Sequence, residues 1–84
     1  MTFNKDGYYV AFYHLTHGDQ GMDKLVEVPK ELFEQMLPFV SPSGVCEGCP
    51  ESLERLAWAL PDANLRPSER DEIQDDHYFY FEYC

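Results

Sequence analysis

The sequence predicts a small α+β fold of order ββααβ, a three-stranded antiparallel sheet with two helices packed on one face, filling a single domain over residues 1–84. Three observations lead there. Two segments, one near the start and one at the end of the chain, are built of aromatic and β-branched residues, the composition of strands. Two segments between them open on proline and carry apolar residues at helical spacing. And 84 residues without an internal repeat or a linker is the size of one domain.

Residues 7–15, from Gly7 to Leu15, read as the first strand. Alternation puts Tyr8, Val10, Phe12 and His14 on one face and Tyr9, Ala11, Tyr13 and Leu15 on the other. The Gly/Asp cluster His17-Gly18-Asp19-Gln20-Gly21 reads as a turn, and residues 22–28 as a shorter second strand with Val26 and Val28 on a shared face. Strand, short turn and strand make a hairpin.

Pro29 suits the first position of a helix, with Glu31 in the first turn where the helix dipole favours an acid. Leu32, Phe33, Met36 and Leu37 form its apolar side; Lys30, Glu31, Glu34 and Gln35 form the polar one. Pro38 ends it, and residues 38–49, with two prolines and two glycines, read as a loop. Pro50 opens a second helix with the stripe Leu53, Leu56, Ala57 and Leu60 and a Glu51–Arg55 pair, stopped by Pro61. Residues 61–76 are polar and charged. The closing segment from His77 to Cys84 reads as a strand, with Phe79, Phe81 and Tyr83 on one face and Tyr78, Tyr80 and Glu82 on the other. Its pairing with the aromatic first strand leaves the second strand at an edge, where charge discourages aggregation.

Composition narrows the function classes. The chain has 16 acidic against 6 basic residues, a formal charge of −10, which weighs against nucleic acid and anionic membranes as partners because both need Lys and Arg. It is also 44% hydrophobic, with six Phe, six Tyr and one Trp, which weighs against disorder. No run of about 20 apolar residues suggests a membrane span. The start of the chain lacks the apolar stretch of a signal peptide. Three cysteines make a poor disulfide framework, so a reducing cytoplasm is the expected compartment.

Candidate chemistry is sparse. Cys46-Glu47-Gly48-Cys49 has the spacing of zinc knuckles and redox dithiols, but a zinc site needs two more ligands, for which Cys84 and His77 are nearest by type. The redox reading wants a parallel βαβ context that the predicted order lacks. His14 and His17 have no nucleophile paired with them, and Asp75 and Asp76, adjacent on extended chain, point apart rather than forming an acid–base pair. There is no glycine-rich phosphate loop, nucleophile elbow or calcium loop. The expectation is a protein that is not an enzyme, with no cofactor and no bound metal.

Binding features are clearer. Glu69, Asp71, Glu72, Asp75, Asp76 and Glu82 place six acids within 14 residues, with Arg70 the one basic residue among them. With Val10, Phe12, Phe79 and Phe81 toward the helices, Tyr9, Tyr13, Tyr78 and Tyr80 face away. Tyrosines set among carboxylates offer rigid area beside acceptors for Arg and Lys. The same face is a candidate for pairing two copies of the chain, or for cover by a loop. Trp58 falls on the charged side of the second helix near Glu51 and Glu54, a hot-spot position unless the 38–49 loop roofs it. In general character the chain resembles phage-encoded acidic inhibitors, including anti-CRISPR proteins and other DNA mimics, a resemblance of composition that transfers no residues.

The expected function is therefore a small acidic inhibitor or decoy that binds the basic surface of a nuclease or other nucleic-acid-binding partner. An immunity-type inhibitor of a nuclease toxin would use the same electrostatics. A zinc-stabilised accessory protein built on Cys46, Cys49, Cys84 and a histidine is the alternative from another class.

Overall fold

The computed structural model describes residues 3–83. Strand β1 spans Tyr8–Thr16 and β2 spans Asp19–Val28. The reversal between them is tighter than the glycine-rich sequence suggests. His17 and Gly18 alone form it, both at positive φ (51° and 86°), as a type I′ hairpin turn requires. Asp19, Gln20 and Gly21, expected in the turn, belong to β2. Its register slips once, between Phe12 opposite Lys24 and Tyr13 opposite Met22, which leaves Asp23 as a bulge residue.

Helix α1 covers Lys30–Met36 and passes at Pro38 into a single 3-10 turn over Leu37–Phe39; helix α2 covers Glu51–Trp58. Pro29 and Pro50 each stand at the N-cap, one residue before the helix rather than at its first position as expected. The Pro29 carbonyl accepts the Phe33 N–H at 3.0 Å. A one-turn helix α3, Pro67–Arg70, lies within the polar and charged segment, and strand β3 is Tyr78–Tyr83.

The sheet order is β2-β1-β3, with β1 and β2 antiparallel but β1 and β3 parallel. The sheet is thus mixed, not wholly antiparallel. The reason lies in the path of the connection. The bridge from Asp62 to Val26 and the Ala63 N–H to Leu25 carbonyl bond of 2.7 Å carry the chain past the β2 edge. Residues 63–74 then cross the second face of the sheet. They end at the start of β1, where Gln74 Nε2 donates to the Lys5 carbonyl at 3.3 Å and His77 Nδ1 lies 3.3 Å from the Gly7 carbonyl. Delivered to that end, β3 runs in the same direction as β1.

Both faces are therefore buried. One core joins Val10, Phe12, Val26, Phe79 and Phe81 to Leu32, Phe33 and Met36 of α1 and Ala57 of α2. A second joins Tyr9, Ala11 and Leu25 to Phe3, Ala63, Leu65 and Ile73. The centre of β1, from Tyr9 to Phe12, is buried on both sides. The predicted phases of β1 and β3 hold, whereas Leu56, expected in the α2 stripe, is 59% exposed. The 38–49 loop adds to the sheet on its other side. Cys46 N–H donates to the Tyr80 carbonyl at 2.8 Å and Tyr80 N–H to the Gly44 carbonyl at 3.0 Å, closing part of the β3 edge. No helix among the described residues is long and apolar enough to cross a membrane.

Candidate functional site

The acidic segment is held to the body of the protein by few anchors. Glu69, in the first turn of α3, accepts the Arg66 backbone N–H on Oε1 at 2.9 Å and is partly buried, so it caps the helix as well as carrying charge. Ile73 inserts into the second core. Between and after these anchors Asp71, Glu72, Asp75 and Asp76 are all exposed. Glu72 has Lys5 Nζ at 3.9 Å and Asp76 has His77 Nε2 at 3.9 Å; Asp71 and Asp75 have no ion pair among the described residues. Glu82 lies at the far end of β3, opposite Tyr13, and accepts a 2.9 Å hydrogen bond from Gln20 Nε2. It is exposed but separate from the 69–76 segment.

Of the tyrosines expected to face a partner, Tyr9 is buried. The crossing segment covers it, as a loop would. Tyr9 is 1% exposed, its hydroxyl donating to the Asn4 carbonyl at 2.9 Å, and burial followed by the nearby Glu27 charge raises its pKa. Tyr13, Tyr78 and Tyr80 remain partly exposed at the margin of the cover. Tyr13 packs edge-on against Tyr80 at 5.3 Å, and its hydroxyl lies 3.4 Å from that of Tyr78. Tyr13, Tyr78, Asp71 and Asp75 line one cavity of about 440 Å³ together with Met22, Leu25, Arg70 and Ile73. The structure therefore unites part of the acidic segment with part of the tyrosine set.

Trp58 sits on the opposite face of the sheet, at the end of α2, and is 48% exposed rather than roofed by the 38–49 loop. Its ring meets Phe12 edge-on at 5.0 Å. Lys24 Nζ lies 5.0 Å from the ring centroid and donates to the Trp58 carbonyl at 2.6 Å. Around it Asp23, Glu51, Glu54, Arg55 and Tyr83 wall a depression of about 400 Å³. Asp23 was missed because a bulge residue breaks the strand period. Glu51 and Glu54 were placed near Trp58 by the helical wheel, Glu51 as the partner of Arg55, but were not counted among the binding residues. Tyr83 donates to Glu54 Oε2 at 2.9 Å, and burial, reinforced by that bond, raises its pKa. An exposed indole beside carboxylates can hold the stem and head of a Lys or Arg side chain.

The cysteine pair lies within electrostatic reach of Glu54. Cys46 is buried in the first core and its thiol pKa is pushed up to about 12, chiefly by desolvation and then by Cys49; desolvation also raises Cys49. His77 stacks on Tyr8 at 4.2 Å, and Cys84 lies outside the described residues. No cluster of three or more His, Cys, Asp or Glu able to hold a metal occurs among the described residues. The chain matches no family model, no curated protein and no solved structure.

Proposed function

We propose that the protein is a small acidic inhibitor or decoy that binds the basic surface of a nucleic-acid-binding partner, its carboxylates standing in for phosphates. The observation that carries this reading is the exposed run of Asp71, Glu72, Asp75 and Asp76, which meets its neighbouring cations only at 3.9 Å or not at all among the described residues. Carboxylates left free of internal partners keep their charge available to an incoming Lys or Arg. In a chain of net charge −10 they also repel one another, a cost that a basic groove relieves. Half-exposed Trp58 with Asp23, Glu51 and Glu54 supplies a second contact region, in which an aromatic anchor adds apolar area to charge.

The test is affinity capture from the native host's lysate at low and high salt, with and without added duplex nucleic acid. A basic nucleic-acid-binding protein should be retained at low salt and released by either high salt or the competing duplex. Retention that neither salt nor nucleic acid disturbs would overturn the proposal.

A further inference from the structure

A cavity of about 480 Å³ lies between the end of β2 and the chain from Leu60 to Leu65, with Phe3, Leu60 and Leu65 among its apolar walls. Three carboxylates, those of Glu27, Asp62 and Glu69, also line it, and no Lys, Arg or His does. None of the three has a cation within 4.0 Å among the described residues. Each is held instead by one neutral donor. Asn4 Nδ2 donates to Glu27 Oε2 at 3.0 Å, the Asn64 N–H to Asp62 Oδ1 at 2.7 Å and the Arg66 N–H to Glu69 Oε1 at 2.9 Å. A neutral donor fixes a carboxylate without cancelling its charge, and the other oxygen of each keeps its lone pairs for a ligand. Burial first, then the charge of Glu27 and, more weakly, that of Glu69 raise the Tyr9 pKa, which places both carboxylates within reach of the hydroxyl at the cavity floor.

The lining is thus a surplus of charged acceptors set against apolar surface, in a volume within the roughly 300–1,000 Å³ of ligand sites. The fitting occupant is a cation that brings apolar surface with it. We propose that this cavity is the anchor pocket for one arginine side chain of the basic partner, flanked in the partner's sequence by an apolar residue. The guanidinium offers five donors to the free carboxylate oxygens, more than the three of a lysine ammonium. Its aliphatic stem and the flanking residue lie against Phe3, Leu60 and Leu65. The source of the arginine rests on the decoy reading. There the exposed acids at 71, 72, 75 and 76 act at long range on association, whereas this pocket fixes one side chain by contact. Glu69 joins the two regions, since it opens the acidic segment and lines the cavity.

The experiment titrates the intact protein, at about 0.15 M salt, with acetyl-Phe-Arg-Phe-amide, with its citrulline counterpart, which has the same shape and no charge, and with acetyl-Gly-Arg-Gly-amide. The backbone ¹⁵N–¹H signals of Ala63, Asn64 and Leu65 report on the cavity. Saturable binding of the Phe-Arg-Phe peptide is expected with a dissociation constant on the order of 1 mM, the affinity that suits a short flexible chain ordered on binding. The citrulline peptide should bind at least about tenfold more weakly, and the glycine peptide at least about fivefold. Glu27→Gln combined with Asp62→Asn keeps an acceptor for Asn4 and Asn64 at two exposed positions, so the fold is retained, and should weaken binding at least about fivefold. A variant neutralised at Asp71, Glu72, Asp75 and Asp76 should bind the peptide within about twofold of the parent, because those side chains lie outside the cavity. No saturation below about 10 mM, equal binding of the citrulline peptide, or unchanged affinity in the Glu27→Gln, Asp62→Asn variant would overturn the proposal. Capture of a basic partner alongside any of those failures would leave the decoy reading standing without the pocket. Peptide binding at the cavity with no basic partner captured would uphold the pocket and remove the decoy reading.

Discussion

Tyr9 stands at the centre of the sheet's second core, 1% exposed, with its ring 6.0 Å from Phe3 and its hydroxyl donating to the Asn4 carbonyl. Tyr9→Ala removes the ring and leaves a cavity beneath residues 63–74, a change that costs about 3–5 kcal/mol for large aromatic residues in cores. A chain of this length has a total stability of about 4–13 kcal/mol, so the loss is a large share of it. At about 4–8 °C per kcal/mol for a domain of this size, the melting temperature should fall by roughly 12–40 °C. Tyr9→Phe keeps the packing and deletes only the hydroxyl, for about 1 kcal/mol or roughly 4–8 °C. Urea denaturation and thermal melts of both variants measure the two steps separately. A Tyr9→Ala protein melting within about 4 °C of the parent would refute the reasoning and show that the crossing segment does not seal this face.

Trp58→Ala should behave differently: the half-exposed ring gives up an edge contact with Phe12 and the Lys24 cation, about 1–2 kcal/mol by denaturation. Partner affinity should fall by more than about tenfold if the indole is an anchor. Stability should decline on the alkaline side. The folded state holds protons on Cys46, Cys49, Tyr9, Tyr78 and Tyr83 more tightly than the ordinary values of 9.0 for Cys and 10.0 for Tyr, so their contribution is complete below about pH 9 and lost above it. Urea midpoints measured across that range should be flat to about pH 8 and then fall, first from the thiols and then from the phenols; a flat profile to about pH 11 would contradict the burial of these groups. Elemental analysis of purified protein should find no stoichiometric zinc, and chelation should leave the melting temperature unchanged; one zinc per chain would favour the accessory-protein alternative.

Strand faces were legible because a one-residue slip in a period-two pattern would move Phe12, Phe79 and Phe81 out of the core together. Both helices were legible from Pro29 and Pro50. The direction of β3 was not, because a strand's sequence carries no record of which end of the sheet its connection reaches. The cover of the tyrosine face was hidden for a related reason: Ala63, Leu65 and Ile73 are few and widely spaced among charges, with no period to mark them as core. In α2 the wheel was right about Ala57 and Leu53 but wrong about Leu56, which lies about 100° around the helix from Ala57, at the margin of the stripe. At the candidate site, the acids 71–76 were legible from density alone. Arg70 was noted only as an exception to their charge, and that it has no ion pair among the described residues is a fact of three dimensions.

The most direct measurement of the central claim is the affinity of a variant with Asp71→Asn, Glu72→Gln, Asp75→Asn and Asp76→Asn for the partner recovered by capture, determined across salt concentrations and against competing nucleic acid. All four side chains are exposed, so the variant should fold and be slightly more stable than the parent through reduced self-repulsion. The decoy account predicts that tight binding is abolished, that the loss is largest at low ionic strength through slower association, and that nucleic acid competes with the parent protein for the same surface. Unchanged affinity in the quadruple variant, with no competition by nucleic acid, would contradict the account and leave the charge as a device for solubility.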